Sequence, residues 1–176
     1  MALYNLYLLF NRLLEDWWFM EGEERVIYTL PGVYDSLEHT GDVYIKAHGR
    51  DILELFENSG LALFDTMVDV RRVEGRTSRM VTAEGYDLES LLYKWLEELL
   101  VLYYSENIVC GRVVVEEFTA RRSNSGVNYV VSGRAYCEEF NPVKHEPRVE
   151  VKSPTYSLMR IIKSENEWIA YFVLDI

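Results

Sequence analysis

The chain has 176 residues, 49% of them hydrophobic and 14% aromatic, with 18 Lys and Arg against 29 Asp and Glu for a formal charge of -11. That length suits one domain with its own core, and this much apolar and ring surface excludes a disordered chain. The acidic balance disfavours direct, tight nucleic-acid binding, which needs a surplus of Lys and Arg to displace counterions from phosphates.

Met1 to Met20 are rich in Leu, Tyr and Trp, but Asn5, Asn11, Arg12, Glu15 and Asp16 interrupt them. No run approaches the roughly eighteen apolar residues of a membrane span, and neither a basic n-region nor a small-residue cleavage site marks a secretory signal. Leu6, Leu9, Phe10, Leu13, Leu14 and Trp17 recur at helical spacing. They fit either a short amphipathic helix docking on the domain or a partner, or a non-native extension ahead of a start at Met20.

From Val33 the pattern turns to short strands. Val43, Ile45 and Ala47 alternate with Tyr44, Lys46 and His48, which predicts a half-buried strand ended by Gly49. Asp51 stands as an N-cap with Glu54 three residues on, and Ile52, Leu55, Phe56, Leu63, Phe64 and Met67 predict a first helix over 51–67. Residues 70–83 read as a strand or a hairpin around Glu74-Gly75. Asp87 then caps a second helix carrying Leu88, Leu91, Leu92, Trp95, Leu99 and Leu102 on one face. After Asn107 no helical period remains. Strands are predicted near 108–119, 128–140, 155–163 and 167–174, with turns at 123–126 and 165–166. This order predicts an α+β domain of two layers, with two helices packed on one face of a mixed, mainly antiparallel β-sheet and no internal repeat.

No Walker A loop, Rossmann glycine triplet, H-E-x-x-H or G-x-S-x-G occurs, so a self-contained enzyme is not the default reading. Cys110 and Cys137 match neither a zinc spacing nor a disulfide framework, and are expected as two buried thiols in a reducing, intracellular setting. Three polar clusters stand out. Glu38-His39-Thr40-Gly41-Asp42 reads first as a turn at a strand junction, and functionally as a place where Asp42 offers oxygen ligands with His39 nearby. At the carboxyl end, Trp168, Ala170, Phe172 and Leu174 would anchor a last strand in the core, holding Asp175 and the terminal carboxylate of Ile176 close together. Like charges in that position require a compensating cation, either a hard divalent ion with oxygen ligands or Lys152. The third cluster, Lys144-His145-Glu146-Pro147 followed by Glu150 to Ser157, reads as a polar loop leading into a strand. Arg71, Arg72, Arg76, Arg79, Arg121 and Arg122 read as solvated faces, with an RNA contact as the minor alternative.

Together these clusters resemble the archease family, the accessory proteins of RtcB-type tRNA-splicing RNA ligases. The resemblance covers 32–176 and leaves 1–31 as an N-terminal extension. It rests on Leu37-Glu38-His39-Thr40-Gly41-Asp42, similar to the family's E/D-H-T-A-D, and on Leu53-Glu54-Leu55-Phe56-Glu57 and Asp87-Leu88-Glu89-Ser90-Leu91-Leu92. Lys144-His145, Glu150-Val151-Lys152 with Thr155-Tyr156, and the closing Asp175-Ile176 complete it. Gly41 replaces the common Ala, and Ser153-Pro154 replaces a small-aliphatic pair, where Pro154 predicts an edge or bulged strand.

The resemblance implies a cytoplasmic, non-catalytic protein that promotes the GTP-dependent guanylylation and multiple turnover of an RtcB-type RNA ligase in tRNA splicing. It also implies a metal site on Asp42, Asp175 and Ile176, with calcium as the ion and manganese or magnesium as alternatives. Lys152 and His39 would serve as functional or partner-contacting residues. Two rivals stand beside it: a small metal-dependent hydrolase using Asp42, His39 and Lys152 around an ion-bound water, and a metal-free binding module or chaperone.

Overall fold

A computed structural model describes residues 24–176 except 124 and 125; the proposed N-terminal helix and part of the 123–126 turn lie outside the described residues. The elements are β1 (Val26–Leu30), β2 (Tyr34–Leu37), β3 (Val43–Gly49), α1 (Ile52–Met67), β4 (Thr77–Gly85), α2 (Leu88–Glu106), β5 (Ile108–Ser123), β6 (Gly126–Glu139), α3 (Pro142–His145), β7 (Ser153–Lys163) and β8 (Trp168–Asp175).

Both long helices start where the sequence says. The Asp51 carboxylate accepts from the Glu54 N–H at 2.9 Å, and the Asp87 carboxylate accepts from the Ser90 N–H at 2.7 Å. Each satisfies a backbone donor that the first helical turn leaves unpaired. A short repeat emerges that was not expected: each helix is entered through a strand, a glycine, one residue and the capping Asp. A Cβ on Gly49 would lie 2.4 Å from the Leu55 nitrogen, and one on Gly85 2.3 Å from the Leu91 nitrogen. The strand can therefore turn onto its own helix only where no side chain intervenes.

The α+β class is as expected, and the strands divide into two sheets in which every neighbouring pair is antiparallel. The five-stranded sheet has the order β1-β2-β3-β8-β7 and the three-stranded sheet β4-β6-β5. α1 lies against β3 and β5, and α2 against β7 and β4, so the helix pair covers one face of each sheet. Leu55, Phe56, Leu63 and Phe64 of α1 are fully buried with Leu91, Leu92, Trp95, Leu96 and Leu99 of α2. Each such side chain stabilises the fold by about 1.5–3 kcal/mol. The Trp95 indole N–H donates to the Phe56 carbonyl at 3.0 Å, joining the helices through the core.

Several local expectations are corrected. Val70–Arg72 is a 3-10 turn rather than part of a strand or hairpin, because the Asp69 carboxylate accepts from the Arg71 N–H and caps it. A four-residue helix follows Asn141, whose side chain caps it. β1 lies upstream of position 32 and pairs with β2. Cys110 and Cys137 are not free thiols. They face each other in the β5–β6 ladder and form a disulfide with S–S 2.08 Å. Their 27-residue separation conceals the partnership until the long hairpin arms bring them opposite. Such a bond does not assign an oxidising compartment, since heat-adapted intracellular proteins also carry them. Among the described residues no helix is long and apolar enough to cross a membrane.

Candidate functional site

The β3–β8 ladder fixes the geometry of the proposed site. Ile45 pairs with Phe172, and Val43 with Leu174, their side chains turned to the core; Asp42 and Asp175 follow one step beyond this last pair. On the other flank of β8, Ser153 pairs with Asp175. The Lys152 N–H donates to the Asp175 carbonyl at 2.8 Å, and the Lys152 ammonium donates to the main-chain oxygen of Ile176 at 2.7 Å. Residues 42, 152, 175 and 176 thus meet at one end of the five-stranded sheet. Gly41 sits at φ +88, a backbone angle that costs any residue with a Cβ, which accounts for glycine where the resembled motif has alanine. His39 is exposed in the preceding connection, its ring 5.9 Å from that of Tyr44.

The donor set is hard oxygen, suited to calcium or magnesium rather than to a soft ion. Its carboxylate side chains are those of Asp42 and Asp175. Among the described residues no three of His, Cys, Asp or Glu gather where they could hold a metal. An ion here would rest on two side-chain carboxylates, the Ile176 oxygen and water.

In the Lys144-His145 segment and among the arginines, the polar side chains make contacts within the fold. His145 is fully buried: its Nδ1 accepts from the Asn141 N–H at 3.0 Å and its Nε2 faces Glu138 Oε1 at 2.9 Å. The same Glu138 oxygen accepts from Lys144 at 2.7 Å and from the Glu74 N–H at 2.8 Å. Burial alone would raise the Glu138 carboxyl, but the donors from Lys144, Glu74 and His145 outweigh it and hold the group down at about 2. Arg71, Arg72, Arg76 and Arg79 are each paired with a carboxylate, on Asp69, Glu146, Glu74 and Glu106 respectively.

Two clusters were not singled out from the sequence. Asp65 on α1 is fully buried and receives the hydroxyls of Tyr28 at 3.0 Å and Tyr34 at 2.9 Å, with Arg148 at 2.8 Å. Burial, with Asp65 beside it, pushes the Tyr34 phenol far above its ordinary value. At the far end of β3, His48 lies between Asp35 at 3.1 Å and Glu167 at 3.3 Å, on an open cleft of about 690 Å³. The alternation marks His48 as outward-facing, but its partners, 13 and 119 positions away, leave no local signal.

The chain is similar in sequence and fold to known proteins. The model of the Archease protein family matches residues 34–176. The "Protein archease" of Pyrococcus furiosus is 42% identical over 144 residues, covering 81% of this chain and 98% of that one. The "Protein archease" of Sulfurisphaera tokodaii is 41% identical over 143 residues, with the same coverage of each. The solution structure of Methanobacterium thermoautotrophicum protein 1598 superposes with a TM-score of 0.67 at 31% identity, covering 82% of this chain and 99% of that one.

Proposed function

We propose that this chain, which belongs to the archease family, acts in the cytoplasm as a non-catalytic accessory protein of an RtcB-type RNA ligase, promoting its GTP-dependent guanylylation and multiple turnover in tRNA splicing. The observation that carries this reading is the meeting of Asp42, Asp175, Ile176 and Lys152 at one sheet end, at positions that match the family's motifs. In the proposal Asp42 and Asp175 hold a divalent ion, calcium first, with Ile176 adding a main-chain oxygen. Bound there, the ion would offset the negative potential of the site and present a positive charge to a phosphate or carboxylate of the partner.

Lys152, exposed and tied to Ile176, would hold the end of β8 in place and touch the ligase. The formal charge of -11 supports docking on a basic, RNA-binding protein, because complementary charge speeds encounter and fixes orientation. The test mixes the protein with its cognate ligase, GTP and manganese. Guanylylated ligase and repeated ligation should both rise. Unchanged yield and turnover would reject the accessory role, and full stimulation by Asp42→Ala would reject the site. Phosphoester turnover by the isolated protein would favour the hydrolase instead.

A further inference from the structure

We infer that the seam between α2 and the edge strand β7 is the surface on which a basic partner protein docks. β7 ends the order of the larger sheet, and its ladder with β8 is broken: four residues, Tyr156 to Met159, stand opposite the single Phe172. Within this bulge Leu158 adopts φ 55, a left-handed angle that a bulky side chain rarely accepts, and the side chain is 53% exposed. A strained backbone that projects a leucine into water adds nothing to the core, and such outliers collect at functional positions.

The bulge is continuous with other apolar surface. The Tyr156 ring, 53% exposed, stacks on Tyr93 of α2 at 4.2 Å between centroids, with planes 7° apart. Further along α2, Val101 and Tyr104 are exposed beside Pro154, lining a groove of about 380 Å³ that ends at Lys152. One strip therefore runs from Leu158 to the end of the sheet that holds Asp175 and Ile176. Along it lie Asp87, Glu89 and Glu150, a Lys94–Glu97 ion pair, and Lys152, whose ammonium is tied to the Ile176 oxygen, which leaves the acidic groups in excess. This acidic rim around an apolar floor complements a basic protein and repels the phosphates of an RNA strand. Pro154 and the bulge interrupt the row of edge N–H groups, so the partner meets side chains rather than adding a strand.

This inference rests on the proposed function, which supplies the occupant: the ligase. Leu158→Gly tests it sharply, because glycine accepts φ 55 without strain while losing the projecting side chain. The variant should melt no lower than the wild type, yet bind the ligase at least tenfold more weakly in a titration. Val101→Lys, at an exposed helix position, should weaken binding similarly, and wild-type affinity should fall as salt rises. If the wild type binds and stimulates the ligase and both variants do so equally well, the seam is not the docking surface and the proposed function stands. If the wild type neither binds nor stimulates the ligase, both fall together. Binding of single-stranded RNA by the isolated protein, weakened by Leu158→Gly, would replace the protein partner with RNA and overturn the inference.

Discussion

Lys152 donates its ammonium to the main-chain oxygen of Ile176 at 2.7 Å, which sets a fixed positive charge beside the end of β8 where Asp175 lies and Asp42 arrives from β3. This lysine and a bound cation compensate the same negative charge, so they should compete. Lys152→Met is expected to leave the fold intact, since an exposed lysine contact contributes only about 0–1 kcal/mol. It should also tighten calcium binding by about tenfold, the size of a partly screened charge at short range. Asp42→Asn should weaken that binding. Calorimetric titration of the three proteins decides it: equal affinities would remove the ion from this position.

The Cys110–Cys137 disulfide closes a 27-residue separation across the β5–β6 hairpin, and neither residue is solvent-exposed. Cross-linking a loop of this size stabilises by about 3–4 kcal/mol in the chain-entropy account. For a chain of this length that corresponds to a melting temperature about 10 °C higher. The expected outcome is a fall of that order when the protein is unfolded with a reductant present, and no reductant effect on a Cys110→Ala, Cys137→Ala double variant. A wild type whose melting ignores reductant would show the bond to be absent in solution.

What could be read along the chain was local. Asp51 and Asp87 announce their helices because a cap acts within three residues, and the alternation from Val43 to Gly49 announces a strand because burial repeats every second residue. The split into two sheets was not legible, since the pattern along a strand does not name its partners, and only the ladders put β4 and β7 in different sheets. The same limit hid the cysteine pairing and the His48 contacts. Val70 to Arg72 misled for the opposite reason: their propensity favours a strand, but the Asp69 side chain locks a tighter turn. The anchored final strand placed Asp175 only beside Ile176; that Asp42 lies next to them rests on the β3–β8 register, which leaves no local trace, and only the motif resemblance pointed to it.

Glu138 and the donors around it make one distinct contribution to acid stability. Its carboxyl titrates at about 2 in the folded protein, against 4.5 for the free group, because the donors from Lys144, Glu74 and His145 outweigh its burial. The lowered folded value means that the stabilisation is complete above about pH 4.5 and disappears as the pH falls towards 2. Its size is about 3 kcal/mol at neutral pH. Urea midpoints measured from pH 6 to pH 2 should fall more steeply for the wild type than for Glu138→Gln, which has no charge to lose there. Parallel curves would assign the acid sensitivity to other carboxylates.

The repeated strand-to-helix entry predicts that Gly85 resists replacement more than the cap beside it. A Cβ at Gly85 would lie 2.3 Å from the Leu91 nitrogen and 2.6 Å from its Cα, and neither can withdraw without shifting the first turn of α2. Gly85→Ala is therefore expected to cost about 3 kcal/mol or more, at the upper end for overpacking. Asp87→Ala, which removes only the cap acceptor for the Ser90 N–H, should cost about 1 kcal/mol. Gly49→Ala should behave like Gly85→Ala, because Leu55 stands in the equivalent place at 2.4 Å. Denaturant titration of the three variants checks the order. If Gly85→Ala proved no worse than Asp87→Ala, the close approach of strand to helix would not be what requires glycine at this corner.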